Sequence, residues 1–159
     1  MKVLVATEKP FAAPAVVGIK NELEAAGNEV VFLEKYTEKS QLLEAVADID
    51  AMIVRSDKVT SEVLDAAKNL KIVVRAGAGY DNVDCAYAKE KGVVVENTPG
   101  QNSNAVAELV FGLLVYAVRN FYNGKSGSEL KDKRLGILAF GNVGRNVARI
   151  AKGFGMTVS

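Results

Sequence analysis

Residues 51–95 read AMIVRSDKVTSEVLDAAKNLKIVVRAGAGYDNVDCAYAKEKGVVV. Three short β-branched runs punctuate this stretch: 51–54 (AMIV), 71–74 (KIVV) and 92–95 (GVVV). Their apolar residues are contiguous rather than alternating, the pattern of strands buried on both faces. Helical segments lie between them. Thr60, Ser61 and Glu62 bring capping chemistry to a helix that carries Val63, Leu64 and Ala67. Residues 84–91 predict a second, short helix that stops at Gly92. Such repetition predicts a parallel sheet with right-handed crossovers and helices on both faces.

The rhythm extends toward the N-terminus. Residues 2–6 (KVLVA) and 29–33 (EVVFL) predict two more strands. Residues 15–26 place Val16, Ile19, Leu23 and Ala26 on one helical stripe, with Gly27 at the stop position, and 40–47 carry Leu42, Leu43 and Val46. Residues 1–98 are therefore expected to form an α/β domain, a flavodoxin-like doubly wound parallel sheet. The pattern breaks at 97–103 (NTPGQNS), which is polar and turn-rich and reads as a hinge or boundary. A long helix is expected over 104–120, with Val106, Leu109, Val110, Leu113, Leu114, Ala117 and Val118 on a wide apolar stripe. A connector, NGKSGS, follows at 123–128, so 99–128 form hinge, helix and connector. Residues 129–159 then predict a strand over 134–140, a glycine turn, a helix to about residue 154 and a second strand from 156. That is an incomplete Rossmann β-α-β unit.

Composition narrows the chemistry. Of 159 residues, 20 are Lys or Arg and 19 are Asp or Glu, so the net charge of +1 gives no field that favours nucleic acid or an anionic membrane. A small anionic ligand needs only a local basic cluster. The count of histidines is 0, which excludes His-based acid–base work and His-ligated metal sites within these residues. The single cysteine, Cys85, excludes an intramolecular disulfide and a Cys-cluster zinc site. With no signal-peptide pattern at residues 1–6, the expected setting is the reducing cytoplasm. The apolar stretch 109–118 is bracketed by Glu108 and Arg119 and is too short to span a bilayer.

Three features could carry function. The turn after the strand at 134–140 runs Ala139-Phe140-Gly141-Asn142-Val143-Gly144. It matches the dinucleotide fingerprint G-x-G-x-x-G, with alanine at the first glycine. Gly141 would let backbone amides approach a pyrophosphate at a helix N-terminus, and Gly144 would let helix and strand pack closely. A purely structural β–α turn fits as well. The acidic residue that would bind the adenine ribose is expected about 20 residues further on, past Ser159. Arg75-Ala76-Gly77-Ala78-Gly79-Tyr80-Asp81-Asn82 follows the strand at 71–74, at the sheet edge where open α/β folds bind ligands. Its small residues could leave amides free to hold a carboxylate; a tight turn formed by Asp81 and Asn82 is the alternative. Arg55 and Arg75 end neighbouring strands and could converge on one phosphate or carboxylate. Surface pairing with Asp57 or Asp81 would explain them equally.

Together these segments resemble one family. Val54-Arg55-Ser56, the run from Val74-Arg75-Ala76-Gly77-Ala78-Gly79-Tyr80-Asp81 through Asp84, residues 92–108 (GVVVENTPGQNSNAVAE) and residues 130–137 (LKDKRLGI) with the following turn are similar to the D-2-hydroxyacid dehydrogenases. Arg55 together with Arg75 points to the D-3-phosphoglycerate dehydrogenase branch, an oxidoreductase of serine biosynthesis. The resemblance implies reversible oxidation of a D-2-hydroxy acid to a 2-keto acid with NAD. It implies that Arg55 and Arg75 hold the phosphate-bearing end of a substrate such as 3-phosphoglycerate. Gly77, Ala78 and Gly79 would form the loop at the substrate carboxylate, with Ala78 also near the nicotinamide. Gly141, Asn142, Val143 and Gly144 would contact the cofactor pyrophosphate. The helix from Asn104 would lie between domains and contribute to a homodimer. The family's catalytic arginine, glutamate and histidine all follow the fingerprint and have no counterpart here, so these residues alone are expected to be inactive. A stand-alone flavodoxin-like binding or structural module is the alternative. A receiver-type reading fails, because Thr7-Glu8-Lys9 and Arg55-Ser56 stand where that architecture needs an acidic cluster and a phosphoacceptor.

Overall fold

The computed structural model describes residues 1–159, which divide into two compact units, Met1–Pro99 and Gly100–Ser159. The first unit is built on five strands: β1 (Lys2–Thr7), β2 (Glu29–Glu34), β3 (Ala51–Val54), β4 (Ile72–Arg75) and β5 (Val94–Asn97). They form one parallel sheet in the order β2-β1-β3-β4-β5. The chain moves one way across the sheet from β1 to β2, then the other way through β3, β4 and β5. Right-handed crossovers therefore put α1 (Ala13–Ala25) on one face and α2 (Lys39–Ala45), α3 (Ser61–Ala66) and α4 (Cys85–Glu90) on the other.

The second of these faces holds the main core. Leu4 pairs in register with Met52, and Met52 with Val73, and all three are essentially sealed from solvent. Leu42 from α2 and Val46 at its C-cap, Val63 and Leu64 from α3 and Ala88 from α4 close over them. The face toward α1 is more lightly covered. Helix α1 has no fully buried residue, Ile53, Ile72 and Val74 are half-buried, and Val94 on the edge strand is exposed. Pro14 opens α1 in its first turn, a position where a missing N–H costs nothing, and Gly27 ends it with a left-handed φ of 75°.

The second unit pairs two helices, α5 (Ser103–Val118) and α6 (Asn142–Gly153), with a small parallel ladder of β6 (Arg134–Leu135) and β7 (Thr157–Val158). Ala107 and Phe111 of α5 meet Val147 and Ala151 of α6 around Leu130 and Met156. Phe111 also stacks on Phe154, ring centroids 5.0 Å apart. The strand expected over 134–140 is shorter than its sequence suggests. A strand exists only where a partner supplies hydrogen bonds, and pairing here consists of Arg134 with Thr157 and Leu135 with Val158, then a last bond from the Ile137 amide to the Ser159 carbonyl at 2.8 Å. Leu138, beyond that ladder, is 100% exposed. After α5 the chain makes a turn that no sequence pattern announced: Asn120, Phe121 and Tyr122 have successive φ values of 53°, 55° and 53°. The side-chain amide of Asn120 ties it by donating to the Ser126 carbonyl at 2.7 Å. No helix is long and apolar enough to cross a membrane.

One buried polar contact has a consequence for pH. The Tyr36 hydroxyl donates to Asp57 Oδ1 at 2.8 Å, and both residues are buried. Burial first, then the hydrogen bond to the carboxylate, pushes the Tyr36 pKa well above its ordinary value. Folding therefore favours the protonated phenol. Its contribution is complete below the unfolded pKa of about 10 and falls away as pH rises past it. Tyr36→Phe should cost about 2 kcal/mol at neutral pH. In denaturant unfolding between pH 8 and 11, the gap between wild type and variant should narrow on the alkaline side.

Candidate functional site

Parallel strands deliver their C-terminal ends to one edge of the sheet, so the loops after β1, β3 and β4 gather there. The loop after β4 is tightly pinned. The Gly77 amide folds back on the Arg75 carbonyl at 2.8 Å, and the Thr98 amide donates to the Gly77 carbonyl at 2.9 Å. Asn97, at the end of β5, donates from Nδ2 to the Ala78 carbonyl at 2.7 Å. The far end is held by a bridge between Val59 and Val83 and by the Asn82 carbonyl, which accepts from the Val59 amide at 2.9 Å. Within that frame the amides of residues 78–82 donate to no protein acceptor. Fixed carbonyls and free amides make a cradle for an anion. Arg75 contributes its guanidinium directly: a β-carbon built on Gly77 would fall inside it, so a larger residue there would make the guanidinium shift. The Arg75 Nε is buried without a hydrogen-bond partner.

Arg55 and Arg75 are not held at one point. Val54 is the register partner of Arg75, so Arg55, one residue on, falls on the opposite pleat. The Arg55 guanidinium is exposed and reaches the loop after β1, where Nη1 donates to the Lys9 carbonyl at 3.4 Å and the Pro10 carbonyl at 3.3 Å. Neither arginine makes a carboxylate ion pair; the salt bridges are Lys2–Asp48, Lys20–Glu24, Lys39–Glu62, Lys71–Asp50 and Lys91–Asp65. Asp57 is no surface partner for Arg55 either. It is 3% exposed and accepts from the amides of Glu8 at 2.7 Å and Arg55 at 3.3 Å, besides the Tyr36 hydroxyl. Sequence reasoning offers Asp57 only as a surface partner of Arg55 and misses its burial, which nothing in the neighbouring residues marks.

In the second unit, Gly141 is the N-cap of α6 and Gly144 lies in its first turn. A β-carbon on Gly141 would meet nothing within 4 Å. One on Gly144 would strike the Ala139 carbonyl oxygen, which is the close helix–strand approach that the third glycine of a dinucleotide fingerprint permits. The amides of residues 141–144 have no protein acceptor, and no side chain caps the helix. Asn142 and Val143 open the helix, Val143 partly exposed. These residues fit a pyrophosphate group at a helix N-terminus. Ala139, at the first position, is held at φ 79°, a conformation that favours glycine.

Two substitutions test this turn. Ala139→Gly should relieve the left-handed strain and stabilise the second unit by about 1 kcal/mol. Gly144→Ala forces a backbone clash and should destabilise it by more than that. Thermal unfolding of both variants beside wild type gives the comparison.

The model for the family D-isomer specific 2-hydroxyacid dehydrogenase, catalytic domain, matches residues 11–157. A hydroxypyruvate reductase of Thermotoga maritima is 41% identical, with 82% of this chain and 47% of that protein covered. A D-3-phosphoglycerate dehydrogenase of Methanocaldococcus jannaschii is 40% identical over 76% of this chain and 26% of its own length. Among solved structures, an NAD+-bound 3-phosphoglycerate dehydrogenase of Entamoeba histolytica superposes with a TM-score of 0.94 at 50% identity, covering 100% of this chain and 53% of that one. The chain thus spans about half, or less, of the length of these relatives. The sheet order, the amide cradle after β4, the glycine turn before α6 and these matches agree: the chain belongs to the D-isomer specific 2-hydroxyacid dehydrogenase family.

Proposed function

We propose that the chain is the substrate-binding part and the start of the NAD-binding part of a D-3-phosphoglycerate dehydrogenase-like enzyme. Residues 1–98 form the substrate-binding domain, 99–128 the hinge, interdomain helix and connector, and 129–159 the opening of the cofactor domain. The observation that carries the reading is the pinned loop after β4, with its free amides and the Arg75 guanidinium lying over Gly77. A carboxylate of a D-2-hydroxy acid fits there, against Gly77, Ala78, Gly79 and Arg75. Arg55 faces the other end of the ligand, where a phosphate suits its exposed fork. Gly141, Asn142, Val143 and Gly144 hold the NAD pyrophosphate, and Ala78 lies near the nicotinamide. NAD, when bound, supplies a hydride acceptor. Within these 159 residues there is no histidine to take the hydroxyl proton, so the chain by itself binds without turnover. Half-buried, unpaired Cys85 suits a reducing cytoplasmic setting.

The outer side of α5 supports self-association. Leu109, Leu113 and Tyr116 are exposed along it, and Phe121 and Tyr122 extend the patch, Tyr122 being 80% exposed. An apolar surface of this kind on a helix is characteristic of a contact with another protein surface. Light scattering at ~100 μM, a concentration chosen to reveal weak dimers, should give a dimer mass for wild type and a monomer for Leu113→Asp. A monomeric wild type removes the dimer from the reading.

Isothermal titration with 3-phosphoglycerate and, separately, NADH tests the substrate and cofactor assignments. Wild type should bind 3-phosphoglycerate, and Arg75→Ala should lose at least about tenfold in affinity, the scale of one charge-assisted hydrogen bond. Absence of binding for both ligands at millimolar concentration would favour a folding module with no retained site.

A further inference from the structure

Asp57 has no part in substrate contact in that reading, yet it is a buried carboxylate with no cation beside it. It sits between β3 and α3, and its donors come from three different strand ends. Oδ1 accepts from the Glu8 amide at 2.7 Å and the Tyr36 hydroxyl at 2.8 Å. Oδ2 accepts from the Arg55 amide at 3.3 Å. Its backbone carbonyl accepts from Asn82 Nδ2 at 2.7 Å.

These contacts reach both ends of the proposed binding site. Arg55 is fixed twice: its own amide meets the carboxylate, and the loop starting at Glu8 presents the Lys9 and Pro10 carbonyls to its guanidinium. Asn82 is the last residue of the run of free amides, so the Asp57 carbonyl anchors the far end of the cradle. A turn former needs none of this; exposed aspartates form turns with their own backbone. Burying a carboxylate is costly unless every lone pair finds a donor. The contacts of this one residue tie the loop after β1 and the loop after β4 to each other.

We propose that Asp57, braced by Tyr36, is a positioning residue that sets the span between the amide cradle and the Arg55 guanidinium. It thereby selects 2-hydroxy acids that carry a second anion at the far end over short ones. The inference rests on the functional reading above. It is tested on the full chain by titrating 3-phosphoglycerate and D-glycerate into wild type, Asp57→Asn and Tyr36→Phe, following amide shifts by NMR, with the unfolding midpoint of each recorded. Wild type should prefer 3-phosphoglycerate. Asp57→Asn should lose about tenfold of that preference while D-glycerate affinity changes little, because a misplaced fork weakens only the two-ended ligand. Tyr36→Phe should lose a smaller part. A purely structural residue would weaken both ligands by the same factor, and that result overturns the proposal. If Asp57→Asn fails to fold, Tyr36→Phe and Asn82→Ala carry the same ratio measurement. Wild type that binds neither ligand overturns the functional reading and this inference with it. Wild type that binds 3-phosphoglycerate, with an unchanged ratio in every variant, overturns the positioning role alone.

Discussion

A carboxylate held by dipoles rather than by a cation organises the ligand edge of the first unit. Parallel sheets leave their loops at one end without a ladder to order them. Asp57 collects a backbone amide from the loop after β1, a hydroxyl from just after β2 and the amide of the residue that follows β3. Through Asn82 it also holds the loop after β4. The loops can then stay polar and open while their relative positions remain fixed. The free amides at 78–82 and the outward fork of Arg55 both lie on this frame.

Both units leave a run of backbone amides without protein acceptors, by different means. In the first, the free amides lie in a loop pinned by hydrogen bonds to its carbonyls, with an arginine laid across a glycine. In the second, they come from the start of a helix, where orphan amides and the helix dipole coincide. Glycine makes room in both places, at Gly77 for a side chain that could otherwise swing aside and at Gly144 for a backbone carbonyl that could not. Ala139 keeps the left-handed turn without the residue that best suits it.

Much of this was legible from the residues. Contiguous valine and isoleucine runs gave all five strands of the first sheet to within a residue or two, and crossover handedness then assigned the helices to faces. The glycine turn before α6 and the small-residue loop after β4 stood out because their composition reports backbone geometry. Other features are silent in one dimension. The burial of Asp57 depends on Glu8 and Tyr36, 49 and 21 residues away, and no local period encodes that. The separation of Arg55 from Arg75 follows from strand register, which pairs Val54 with Arg75. The short β6 reflects its partner rather than its own composition. The left-handed turn at Asn120–Tyr122 contains no glycine to announce it.

The strand order has a consequence for how the chain is made. Because β1 lies between β2 and β3, the first of these five strands to be synthesised becomes an interior strand, with both edges open until later residues arrive. Once β2 has paired, every further strand adds to a single growing edge: β3 on β1, β4 on β3, β5 on β4. Assembly can therefore follow the direction of synthesis, each new crossover helix sealing the strand that precedes it. No earlier pairing has to be undone to admit a later strand. The long-range contacts that make parallel sheets slow to form are thus met one neighbour at a time.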